Sequence, residues 1–222
     1  MNKSIISFDT PRIVLLIGKP KKGKSNMTKY LILDGALNQK QFNFGLVLCG
    51  TKYSNDYDFL PDDYIIQGYN EEVLNKYVDK LKSIKEETGE TPASNFIIFD
   101  DLIGLLDKYD NNLMNLFSIH RHLGTSIFMC VQHLNTGTST LLKECCSHAI
   151  MFNSKSFNTL KSLYENFGML FENLDDFKYN FLDITKEPFT ACLYEQDEDD
   201  VNLNYKICRA PDMSNVNTKL EY

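Results

Sequence analysis

Arginine is nearly absent from this chain. Of its 23 basic residues only Arg12, Arg121 and Arg209 are arginines, so any task that demands a guanidinium has three candidates. Long apolar runs are missing too. None reaches the roughly 20 residues that a membrane-spanning helix needs. Met1–Thr10 carries neither an extended apolar core nor a cleavage-site pattern, so secretion is not expected. No C-x-x-C pair occurs among the six cysteines, Cys49, Cys130, Cys145, Cys146, Cys192 and Cys208. Several lie in apolar, strand-like runs, which suits reduced core thiols in a cytosol-like compartment. His120, His122, His133 and His148 lack the paired spacing of a zinc site. Positive charge is in deficit as well. A net charge of −7 argues against a surface that coats nucleic acid nonspecifically, while leaving room for a local basic rim. Internal repeats and low-complexity segments are also lacking. What remains is a chain of 222 residues, 43% hydrophobic and 24% charged, enough for one full core with at most a small appendage.

Within it, Gly18-Lys19-Pro20-Lys21-Lys22-Gly23-Lys24-Ser25 matches G-x-x-x-x-G-K-[ST], the loop that wraps nucleoside-triphosphate phosphates. The apolar run Ile13–Ile17 reads as a buried strand feeding the loop, and Ser25–Leu37 reads as the helix that follows. That order matters, because loop N–H groups and a helix N-terminus together form an anion site. Gly18, Lys19, Pro20, Lys21, Lys22, Gly23, Lys24, Ser25 and Asn26 are therefore the candidate contacts for ATP. Lys24 is expected to reach the outer phosphates and the Ser25 hydroxyl to ligate Mg²⁺. The competing reading is a basic turn between a strand and a helix.

Further along, Phe44–Cys49, Tyr64–Ile66, Phe96–Phe99, Thr125–Val131 and His148–Phe152 read as strands. Apolar spacings of three and four at Leu74, Tyr77, Val78, Leu81 and Ile84 predict a helix over 70–87. Helices are also expected over 111–123, 141–146 and 156–167. Strands separated by helices imply a mostly parallel sheet covered on both faces. Phe189–Tyr194 and Asn204–Arg209 read as an antiparallel hairpin on the sheet edge, joined through an acidic, solvated turn. The expected organisation is one domain over 1–210, with a core at 10–155, an extension at 156–210 and a polar tail at 211–222.

The strand at 96–99 ends in Asp100-Asp101. Ligands of open α/β sheets sit beyond the carboxyl ends of the strands. Asp100 is thus the candidate metal ligand beside Ser25, and Asp101 the candidate for orienting or deprotonating water. Alternatively the two acids cap the next helix. In the P-loop class that hydrolyses through a second acid, an extra strand separates the loop strand from the acidic one. A glutamine is expected at the end of the next strand, and here that strand ends in Gln132. Arg121, just before the same strand, is the first candidate for a guanidinium offered to a neighbour's γ-phosphate. Equally, it suits a surface arginine closing a helix. Arg209 is the second candidate, and Arg12 lies on the wrong side of the loop strand.

Taken together, Gly18–Ser25, Phe96–Asp101 and His120-Arg121-His122 leading to Gln132 resemble the genome-packaging ATPases of poxviruses, other nucleocytoplasmic large DNA viruses and virophages, within the FtsK–HerA group. The resemblance implies a ring-forming motor that moves double-stranded DNA into a preformed capsid, docked to vertex or portal-like proteins in the viral factory of the host cytoplasm or on the virion. It also implies Asp101 as catalytic carboxylate, Gln132 as sensor and Arg121 as trans finger. The family loop usually carries a further glycine where this chain has Pro20, Lys21 and Lys22, and Pro20 removes one N–H donor. Too few residues follow Phe152 for a terminase-type nuclease. DNA contacts are expected from the loops Gly50–Asp63 and Thr136–Lys143, with Lys52 and Lys143 as phosphate partners. Two other classes fit a P-loop chain of this size: a small-molecule kinase, against which stands the missing arginine-rich lid, and a nucleotide-dependent assembly switch.

Overall fold

A computed structural model describes residues 4–51, 56–102, 111–134, 140–196 and 205–220. Lys52, residues 136–139 of the loop 136–143 and residues 197–204 of the acidic turn lie outside the described residues. In chain order come β1 (Ile13–Ile17), α1 (Lys24–Leu33), β2 (Phe44–Cys49), β3 (Ile65–Gln67), α2 (Glu71–Thr88), β4 (Asn95–Asp100), α3 (Asn111–Ile119) and β5 (Thr125–Val131). Then follow α4 (Thr140–Cys145), β6 (His148–Phe152), α5 (Phe157–Phe167), α6 (Leu174–Ile184), β7 (Thr190–Glu195) and β8 (Tyr205–Arg209).

The strands form one sheet in the order β3-β2-β4-β5-β1-β6-β7-β8. β1 to β6 run parallel, and β7 and β8 are added antiparallel at the edge. Two cores explain why the central strands are continuous apolar runs. Ile13, Leu15 and Ile17 of β1 point to one core with α2, α3, α5 and α6. Val14 and Leu16 point to the other, with α1 and both chain ends. The strand standing between β1 and β4 is β5; β2, which intervenes in sequence, lies on the far side of β4. This order puts the ends of β1, β4 and β5 side by side.

Two segments depart from the sequence-based expectation. The sequence predicts no element over residues 168–188, yet α6 forms there, capped by Asn173, whose side chain accepts from the Asp176 N–H at 2.9 Å. It is held by Phe177 and Phe181, both 1% exposed, each contributing roughly 1.5–3 kcal/mol of apolar burial. The C-terminal segment is polar in composition but packed. Ala210, Met213 and Leu220 are buried, and the Leu220 N–H donates to the Phe59 carbonyl at 2.8 Å.

Candidate functional site

The loop after β1 is shaped by what lies beneath it. The Gly18 N–H donates to the Val131 carbonyl at 3.1 Å, tying the loop to the end of β5. A Cβ at Gly18 would stand 2.8 Å from Phe152 Cβ of β6, so no side chain fits there. Gly23 adopts φ 107 and caps α1 without a side-chain partner, leaving first-turn N–H groups of the helix facing outward. The Lys24 ammonium lies across the loop and donates to the Gly18 carbonyl at 2.6 Å and the Lys19 carbonyl at 3.3 Å. A cation and unsatisfied N–H groups on one concave turn are the makings of a phosphate site.

Opposite, β4 delivers Asp100. Its Oδ2 accepts from the buried Tyr57 hydroxyl at 2.8 Å. Burial raises the Asp100 pKa, which the Tyr57 hydrogen bond and the Lys24 charge oppose and the Asp101 and Asp56 charges reinforce. Burial also keeps Tyr57 and the neighbouring Cys130 protonated, with both pKa values pushed well above the ordinary range. Asp101 leaves the strand with φ 52, a left-handed conformation that costs roughly 1–3 kcal/mol at a non-glycine residue. That turn exposes its carboxylate, and the Gln132 amide at the end of β5 donates to Asp101 Oδ1 at 2.7 Å.

Lys24, Ser25, Asp56, Asp100, Asp101 and Gln132 line one cavity of about 450 Å³. Pro20, Lys21 and Gly23 complete its loop side. Lys19 and Lys22 are exposed on the rim. Asn26 also reaches the cavity, but its side chain is engaged elsewhere: Nδ2 donates to the Pro211 carbonyl and Oδ1 accepts from the Met213 N–H, each at 2.8 Å. Only its main-chain N–H remains for a phosphate. Chemically, the cavity pairs a cationic phosphate cradle with an acid-lined wall and one restrained carboxylate.

Arg121 is not part of this cavity. It precedes β5, whereas Gln132 follows it, so the seven residues of the strand put the two roughly 20 Å apart at opposite edges of the sheet. Arg12 shares that far edge, preceding β1. Arg209, at the end of β8, lies on the same edge as the loop and lines an adjoining cavity with Asn26. Of the four histidines, His120 and His148 serve the core, and His122 and His133 are exposed. His120 Nδ1 meets the Thr125 carbonyl at 2.9 Å. His148 is buried with its pKa lowered to about 3 by desolvation and the Arg12 and Lys206 charges.

Two residues carry no functional signal in sequence: Tyr57, buried behind Asp100, and Phe189, on the cavity wall. Tyr57 was one aromatic among several in a polar loop. Phe189 was the start of a strand, whereas it adopts φ 62 outside β7, lines the cavity and packs on Gly23.

The fold has counterparts among solved structures. The genome packaging NTPase B204 of Sulfolobus turreted icosahedral virus 2, solved with ATP-gammaS, superposes with a TM-score of 0.64 at 18% identity, covering 90% of this chain and 98% of that one. The cytoplasmic domain of the type VII secretion ATPase EccC of Thermomonospora curvata gives 0.64 at 17% identity, over 90% of this chain and 25% of that one. At these identities the likeness is one of fold. In sequence, the uncharacterized protein 075L of Invertebrate iridescent virus 6 is 25% identical over 190 residues, 84% of this chain and 71% of the relative. The family model described as poxvirus A32 protein matches residues 6–176. With most of its length so matched, the chain belongs to the poxvirus A32 protein family.

Proposed function

We propose that the chain is the ATP-hydrolysing subunit of a motor that drives double-stranded viral DNA into a preformed capsid. The observation that carries this reading is the meeting of Lys24, Ser25, Asp100, Asp101 and Gln132 on one cavity, on a sheet where β5 separates β1 from β4. Solved relatives named as a genome packaging NTPase and secretion ATPases support it through the shared fold.

In this reading the loop N–H groups and Lys24 hold the β- and γ-phosphates. Ser25 and Asp100 are hard oxygen donors facing one cavity, which suits Mg²⁺, the ion that neutralises charge on those phosphates. Tyr57 orients the Asp100 carboxylate for that task. Asp101 orients water against the γ-phosphate, and Gln132 reports the phosphate through its hydrogen bond to Asp101. Arg121, on the opposite edge of the sheet, serves only a neighbouring subunit, so a homo-oligomeric ring is part of the proposal, with Arg209 as the alternative finger. The partners are double-stranded DNA, met by the 50–63 and 136–143 loops, and capsid vertex proteins. The setting is the viral factory of the host cytoplasm and the virion.

The test is ATPase activity with and without double-stranded DNA across protein concentration, on the natural chain and on Asp101→Asn. Turnover that rises with DNA and with concentration, and that is lost in Asp101→Asn while ATP still binds, is the expected result. Normal turnover in Asp101→Asn removes Asp101 from its role, and turnover indifferent to DNA and to concentration removes the motor.

A further inference from the structure

We propose that Phe189 is the platform on which the base of the bound nucleotide stacks, in a cavity adjoining the phosphate cavity. The inference rests on the phosphate cavity being an ATP site.

Phe189 opens the segment before β7 with φ 62, a conformation that bulky side chains rarely adopt, and its side chain is 53% exposed. Neither property serves the core. An aromatic ring held out of the interior by an unfavourable backbone points to a ligand face. Its place agrees. Phe189 Cδ1 lies 3.1 Å from where a Gly23 Cβ would stand, so the ring borders the phosphate loop itself.

Phe189 and Asn26 line both the phosphate cavity and a larger neighbour of about 1370 Å³. A triphosphate whose outer phosphate meets Asp101 and Gln132 lays its inner phosphates along the first turn of α1, toward Asn26. The nucleoside therefore leaves past Asn26 and Phe189 and enters the larger cavity. The β7–β8 register pairs Thr190 with Arg209, which sets Ala210 and Pro211 across from Phe189 on the same sheet margin. Arg209 and Pro211 line this cavity too. A flat π-system against the face of an aromatic ring, with the Ala210–Pro211 margin beside it, is an arrangement that stacks a nucleobase.

The experiment measures binding of ATP and of inorganic tripolyphosphate, which has no base, to the natural chain, Phe189→Gly and Phe189→Tyr. Glycine removes the ring and relieves the backbone, so Phe189→Gly is expected to melt no lower than the natural chain. It is expected to bind ATP about five-fold to about a hundred-fold more weakly, the range of one base–aromatic stack. Tripolyphosphate affinity stays the same, and Phe189→Tyr restores ATP binding. If ATP affinity is unchanged in Phe189→Gly, or if tripolyphosphate weakens as much as ATP, the platform is overturned while the phosphate site stands. If the natural chain binds neither compound, the phosphate site fails, and the platform with it.

Discussion

Gly50 has no side chain and lines the cavity just beyond β2, and replacing it should slow catalysis sharply. Its N–H donates to the Asp100 carbonyl at 2.9 Å. A Cβ added there would stand 2.6 Å from the Asp101 carbonyl oxygen, where ordinary contact begins at 3.4 Å. Since the clashing atom belongs to the main chain, no rotamer relieves it. The backbone of Asp101 must retreat by roughly 0.8 Å, the difference between those two distances. Asp101 is already strained and holds Gln132 at 2.7 Å, so the shift falls directly on the carboxylate that aims the water. Misplacing a reacting group by about 1 Å costs on the order of a hundred-fold in rate. Gly50→Ala should therefore bind ATP like the natural chain and turn it over about a hundred-fold more slowly. Gly68→Ala is the matched control: φ 79 strains any side chain, but nothing lies within 4 Å. It should lose about 1 kcal/mol of stability and keep its turnover. The assay is steady-state ATP hydrolysis beside equilibrium binding. Full turnover in Gly50→Ala would refute the placement of Asp101.

Tyr57→Phe removes a hydrogen bond to a carboxylate, a contact typically contributing about 1.5–3 kcal/mol. Asp100, already raised by burial, then rises further. The acid limb of kcat/KM should move to higher pH, and thermal stability should fall more steeply as pH rises through the Asp100 titration; an unmoved acid limb contradicts the role of Tyr57. His148 supplies the opposite sign. Glu195 Oε1 at 3.9 Å is too distant to hold its proton against burial and the Arg12 and Lys206 charges. The folded state keeps His148 neutral down to about pH 3 while the unfolded chain protonates near 6.5, so stability should drop as pH falls between those values. His148→Gln should flatten that drop in melting curves taken across pH.

The central sheet was legible because β1, β4, β5 and β6 are buried on both faces and leave unbroken apolar runs bounded by polar residues. The phosphate loop was legible because its glycines are demanded by local crowding, at Phe152 for Gly18 and by a left-handed φ for Gly23. Position along a parallel strand was used unevenly: Arg12 before β1 was set on the wrong side, yet Arg121 stands before β5 at that same edge. Residues 168–188 were opaque because α6 carries its two buried phenylalanines among acids and the exposed Tyr179. The backbone of Phe189 was opaque for another reason. Left-handed φ is signalled by glycine or asparagine, and a phenylalanine there is chosen by its surroundings. Tyr57 reaches Asp100 across 43 positions of sequence, a pairing that only the folded sheet creates. Buried Met213 and Leu220 were outvoted by the polar residues around them.

The packed C-terminal segment joins parts of the molecule that face each other. Near one end Pro211 and Met213 grip Asn26, one residue past Ser25. At the other, Leu220 is fastened to Phe59, two residues past the tyrosine that steadies Asp100. Ten residues of chain thus strap one jaw of the cleft to the other, and the Lys29–Asp58 ion pair at 2.9 Å adds a second tie between α1 and the segment that carries Tyr57.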